Sequence, residues 1–164
     1  MSHQPVIDGA EFAAAGAAQQ GVLPLNGFPR LRDMLVSDAG EVAYAVKGVR
    51  DERGRPSLRV RVHGTLQLRC QRCLEPLPFE VRVEDLLVLA ATLSEIHAEP
   101  ADAHAPDRIL AGREMPVREL IEDELILAVP YAPRHEECIA AGTAASEAEK
   151  RSPFAGLRGL IHKH

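Results

Sequence analysis

Four residues have the types and spacing to hold a metal ion. Cys70-Gln-Arg-Cys73 and His135-Glu-Glu-Cys138 are two ligand pairs, each with two residues between its members. That interval lets one turn of chain aim two side chains at a common centre. Two such turns complete the tetrahedron that zinc takes, with thiolates at ~2.3 Å and imidazole at ~2.0–2.1 Å. Four protein ligands leave no position for water, so the chemistry expected is a closed structural zinc site whose loss loosens the contact between the two segments. The pairs stand further apart in the chain than in a compact zinc finger. The competing reading is therefore a reduced thiol pair in a turn, with an unrelated His and Cys on the surface. Redox catalysis is disfavoured, because a thioredoxin-like CxxC opens a helix that lowers the thiol pKa. Here a strand pattern precedes Cys70, and Pro76 and Phe79 lead into another strand. The HxE…PCxxC order of zinc deaminases is absent.

A second constellation is cationic. Arg59, Arg61 and Arg69 share one parity of an alternating segment, and Arg72 follows in the turn. Side chains two apart on a strand lie on the same face, so these form a line of guanidinium groups suited to successive phosphates. His63, Thr65 and Gln67 lie between them and can add hydrogen bonds. The rival explanation is a strand charged to prevent edge pairing, with Glu80, Arg82 and Glu84 of the next segment neutralising part of the row. A third cluster, Glu114 through Glu124, offers carboxylates. Glu119, Glu122 and Asp123 read as a solvated helix face. Glu124 falls on the apolar side and is expected to pair with an arginine of the sheet or with a partner.

The elements that must position these groups are legible as patterns. An Ala-rich stretch from Asp8 to Gln20 reads as a short helix capped by Asp8, weakened by Gly9, Gly16 and Gly21. Arg30 to Val36 adds a helical turn or a strand. Residues 41–49 alternate with Val42, Tyr44 and Val46 on one side, and Gly54 and Pro56 mark a turn. Leu58, Val60, Val62, Leu66 and Leu68 then alternate with the polar set that includes the arginines, so one face packs on a core. Gly64 is expected to mark a bulge. The chain returns through the CxxC turn as a third strand, Phe79, Val81 and Val83 inward, running on to Ala90. Residues 92–113 lack periodicity and read as an acidic, partly mobile loop. A helix is expected from Pro116 to Val129, with Val117, Leu120, Ile121, Leu125 and Ala128 as its apolar stripe. Residues 139–164 read as a flexible tail with an apolar tip at Phe154, Leu157, Leu160 and Ile161.

Composition excludes several classes. The 164 residues suit one domain, and there is no Trp and only four Phe, so few rings are available to stack bases. No apolar run reaches the length of a membrane span and no basic region precedes an apolar one at the N-terminus. Three cysteines, two of them in a CxxC, fit the reducing cytoplasm better than a disulfide framework. The net charge is −5, but residues 47–82 hold nine Arg and Lys against four acids. That asymmetry is what a localised anion-binding face would produce. No Gly-rich phosphate loop, nucleophile elbow or Ser-His-Asp arrangement is present.

Cys70-Gln-Arg-Cys73-Leu-Glu-Pro after an alternating strand resembles the central motif of the YceD family. So do Val117-Arg-Glu-Leu-Ile-Glu-Asp-Glu-Leu-Ile-Leu-Ala-Val-Pro130, the Pro133-x-His135-x-x-Cys138 that follows, and the terminal Ser-Pro-Phe-Ala-Gly-Leu. These run in the family's order from about residue 40 to the end, after a variable N-terminal segment over 1–40. The resemblance implies a large ribosomal RNA subunit accumulation protein, associated with synthesis, processing or stability of 23S ribosomal RNA, with no known enzymatic activity and no agreed functional residues.

The expectation is an α+β fold: a small twisted antiparallel meander packed by one main helix, with curling into a partial barrel left open, and a core domain over 41–138. Its function would be binding of precursor 23S ribosomal RNA or a large-subunit protein through Arg59, Arg61, Arg69 and Arg72. No membrane or small-molecule substrate is expected. An adaptor or chaperone for a basic ribosomal protein is the alternative, and a thiol or metal enzyme a more distant one.

Overall fold

A computed structural model describes residues 5–98 and 105–138. In chain order the elements are β1 (Val6–Ile7), α1 (Gly9–Ala14), β2 (Ala18–Pro24), two 3-10 turns (Leu25–Gly27 and Leu31–Met34), β3 (Leu35–Ser37), β4 (Glu41–Arg50), β5 (Pro56–Arg69), β6 (Pro76–Ala90), α2 (Leu93–His97), β7 (Arg108–Leu110), β8 (Met115–Pro116) and α3 (Val117–Ala128). The fold is α+β. Its main sheet runs β2-β4-β5-β6-β7 and stays open; it does not close into a barrel. β2, β4, β5 and β6 pair antiparallel, whereas β7 joins β6 in parallel, a departure from a pure meander. β1 and β8 form a separate two-stranded ladder.

The long β5–β6 hairpin is the spine, paired from Ser57↔Val88 to Arg69↔Pro76. Alternation decides its faces. Leu58, Val60, Val62, Leu66 and Leu68 are buried and Arg59, Arg61, His63 and Arg69 are exposed. On its other edge β5 is shared. β4 pairs with its first half, as far as Val42↔Gly64, and β3 takes over at Gln67 and Leu68. Gly64 stays in regular register and makes no bulge; the register shift lies between Leu35 and Ser37 of β3. The glycine is needed for space, since a Cβ there would sit 2.7 Å from Val42 Cγ1, where β4 crosses the edge. Gly48 similarly admits α1, because a Cβ would fall 2.8 Å from Ala13 Cα.

α3 packs on the inner face of β5 and β6 through Val117, Leu120, Ile121 and Leu125. The N-terminal helix is shorter than its Ala-rich sequence implies. Asp8 caps it through Glu11 N at 2.9 Å, and it ends before Gly16, which adopts φ +60. The chain then becomes the edge strand β2. Leu25, Phe28 and Leu31 enter the same core fully buried. At about 1.5–3 kcal/mol per buried large side chain, these three alone rival a net stability of about 5–15 kcal/mol, so residues 5–40 are structural members of the domain. Within 92–113, where no period was read, lie α2 and β7, elements too short to show one. α2 is capped by Thr92.

Candidate functional site

Cys70 to Glu75 form the turn at the end of the β5–β6 hairpin. Cys70 N donates to Glu75 O at 3.0 Å and Leu74 N to Cys70 O at 2.9 Å. Leu74 adopts φ 66, the left-handed region that costs a branched L-residue about 1–2 kcal/mol. The strain turns the chain so that both thiols point to one side. After α3, residues 129–138 bring His135 and Cys138 to the same place, and Gln71 N donates to Pro133 O at 2.8 Å, joining the two knuckles.

The four expected ligands meet. One donor atom from each of Cys70, Cys73, His135 and Cys138 lies within 4.8 Å of the others. Cys70 Sγ stands 3.8 Å from Cys138 Sγ and Cys73 Sγ 3.3 Å from His135 Nδ1. The first distance is too long for a disulfide and equals the edge, ~3.8 Å, of a tetrahedron with metal–sulfur arms of ~2.3 Å. His135 Nε2 is 3.1 Å from Pro76 O. That carbonyl can only accept, so the proton sits on Nε2 and Nδ1 is left to face the thiols, the outer support that ligating histidines usually have. The cluster could therefore hold a metal ion.

Its electrostatics agree with that chemistry. Burial opposes ionisation of Cys70, but backbone N–H groups of Cys73, His135 and Arg72, with the Cys73 side chain, bring its pKa down to about 5. Cys138 is pushed the other way by burial and by the nearby Cys70 and Cys73 sulfurs. For Cys138 to ionise beside the Cys70 thiolate, a cation between the two sulfurs is needed, which a bound divalent ion would supply.

The cationic row divides into two parts. Arg59 and Arg61 point outward, half exposed, on the face opposite α3. Arg61 Nη2 meets Glu84 Oε1 at 2.7 Å and Arg59 Nη1 lies 3.9 Å from the same oxygen. Arg61 beside it holds the Glu84 carboxyl below its ordinary range. Arg82 is taken by Glu80. Arg69 and Arg72, exposed at the hairpin tip, have no ion pair among the described residues. Lys47, directly across from Arg59 on β4, joins the face and was not picked out by the pattern of β5 alone. Lys47, Arg59 and Arg61 line a concavity of about 440 Å³ floored by Ala18 and Ala45.

Two acids of α3 depart from expectation: Glu122 does not belong to a solvated face, and Glu124, on the apolar side as expected, has no arginine beside it. Glu122 is 2% exposed. Its carboxylate accepts from Arg30 N at 2.7 Å, Leu31 N at 3.1 Å and Arg30 Nε at 3.1 Å, so it caps the 3-10 turn at Leu31 from across the core. Glu124 is also buried, but its neighbours are Asp85, Asp107 and Asp123 instead of an arginine. Burial first, then the charge and hydrogen bond of Asp85, raise its pKa to about 7. Asp85 was missed, although it continues the inward parity of Phe79, Val81 and Val83. No helix among the described residues is long and apolar enough to cross a membrane.

No solved structure matches the chain. The family model described as large ribosomal RNA subunit accumulation protein YceD matches residues 58–161, from the arginine strand through the cysteine hairpin and α3 to the C-terminal segment. With its central hairpin, helix and Cys/His cluster all inside that match, the chain belongs to the YceD family.

Proposed function

We propose that this protein supports accumulation of 23S ribosomal RNA in the bacterial cytoplasm by binding precursor RNA, or an assembling large subunit, with the outer face of its sheet. It acts by binding and not by catalysis. The reading is carried by one observation: Lys47, Arg59 and Arg61 line an open concavity that holds no acid, and Glu84, outside that lining, is their one ion-pair partner among the described residues. An exposed ion pair is weak in water and is readily exchanged for phosphate contacts, which also release counterions. With no aromatic ring lining this concavity, contact is to the sugar–phosphate backbone and not by base stacking. Arg69 and Arg72 extend the line to the hairpin tip. The Cys70, Cys73, His135 and Cys138 cluster holds a structural zinc there, which keeps both arginines at a fixed angle to the strand.

Replacing Arg59 and Arg61 together by Glu tests this. Two lost phosphate contacts should lower the slope of log K against log salt by about 1.4–1.8 and reduce large-subunit RNA in cells. An unchanged slope and unchanged RNA with a normally folded variant would refute it. Pull-downs with RNase separate the adaptor alternative, whose partner would survive the treatment.

A further inference from the structure

On the other side of the molecule, α3, β7 and β8 border a groove of about 570 Å³. Its apolar part includes Leu110 and Leu127, which are 46% and 73% exposed, together with Ile126. Its walls carry Asp107, Glu114, Glu119, Asp123 and Glu124. Arg30 is the one cation lining it and is already bound to Glu122 and Asp123. Asp107, Glu114, Glu119 and Glu124 have no cationic partner among the described residues. An apolar trough with unneutralised carboxylates selects a segment with apolar anchors and positive charge.

The chain carries such a segment. Residues 151–164, outside the described part, contain Arg151, Arg158 and Lys163 and no acid. Phe154, Leu157, Leu160 and Ile161 recur at the three- and four-residue spacing of groove-binding anchors. The length suffices. Along β6 the hairpin tip and Leu87 are eleven residues apart, roughly 36 Å at the rise of a strand. The stretch between Cys138 and Pro153 spans up to about 46–50 Å when extended. We propose that residues 151–164 dock in the α3 groove of their own chain, with Arg158 against Glu119 and with Leu157 and Leu160 beside Leu127. This is independent of RNA contact on the opposite face.

The test uses the full chain. A tethered segment at an effective concentration of about 1 mM, with a peptide Kd of about 0.1 mM, should be docked about ten to one. Trypsin cleavage at Arg158 should then be about tenfold slower than in Leu157→Asp/Leu160→Asp, and amides of β7 and β8 should exchange faster in that variant. Leu127→Asp, on the exposed groove side and away from the cleaved sequence, should act alike. Glu119→Arg should weaken docking and speed exchange in β7 and β8, and adding Arg158→Glu, which also removes the trypsin site, should slow that exchange again. Equal cleavage and exchange in wild type and variants would overturn the proposal. So would protection that vanishes on dilution, which would mark a second copy as the occupant, or groove protection appearing only with an added basic peptide, which would mark a partner.

Discussion

Glu124 offers a sharp test of the packing around α3, because its carboxyl sits among acids. Asp85 faces it from β6, Asp107 from the segment before β7 and Asp123 from α3 itself; Arg30, which lines the same groove, is engaged by Glu122 and Asp123. Its folded pKa is about 7 against an ordinary 4.5. Below the lower value both folded and unfolded chains hold the proton, and nothing is lost. Between the two values the unfolded chain releases it while the folded chain keeps it, so stability falls as pH rises. Above about 7 the loss is complete. At 1.36 kcal/mol per pH interval the ceiling is about 3 kcal/mol, and water entering the open groove screens this to about 1–2 kcal/mol. Glu124→Gln removes the ionisation and keeps the shape. Urea midpoints should therefore rise by about 0.5–1 M near pH 8, for a slope of about 1–3 kcal/mol/M, and stay close to wild type near pH 5. The difference between variant and wild type cancels titration at the cysteine cluster. An equal change at both pH values, or a loss at the higher one, would show that these carboxylates do not crowd one another in the fold.

Three further outcomes follow from the geometry. Protein purified without added metal should carry about one zinc per chain, and chelation should lower Tm and speed amide exchange in residues 70–76 and 133–138; metal content near zero would count against the centre. Glu122→Ala leaves two N–H groups at the 3-10 turn without an acceptor and should cost about 3–4 kcal/mol, whereas Glu122→Gln, which keeps one oxygen, should cost about half as much by chemical denaturation. Leu74→Gly relieves the left-handed backbone and should stabilise by about 0.5–1 kcal/mol, with loss of stability showing that the leucine side chain matters more than its φ.

What the sequence made legible was what depends on local period or ligand chemistry. Period two along Leu58–Leu68 fixed which arginines face out, and the paired x-x spacings at Cys70 and His135 fixed the cluster, because both are properties of a few adjacent residues. The burial of Glu122 was not legible. It lies well away from the centre of the α3 stripe and is enclosed only because Arg30 and Leu31, ninety residues earlier, cover that flank. Gly64 shows the same limit. Its meaning lies in the exchange of β4 for β3 along one edge, and no feature of β5 announces it. β7 pairs through three residues in parallel with β6, too few to produce a pattern, and its place depends on the chain having first passed α2.

The same separation of faces resolves the charge. A chain of net −5 looks unsuited to RNA only if its charges are averaged. Here Lys47, Arg59 and Arg61 project from the outer face, while Asp85 and Glu124 meet between the inner face and α3. Strand parity sets this arrangement, since Arg59 and Arg61 alternate with the buried Leu58 and Val60, while Asp85 stands opposite Val60 on the inner face and Glu84 is the acid that remains among the outer cations. A phosphate approaching the outer face meets the cations at close range, whereas the groove acids lie across the thickness of a packed layer, about 10 Å, roughly one Debye length in physiological salt. On the proposed function, the acidic total would therefore repel RNA weakly at that face and would orient the protein cationic face first.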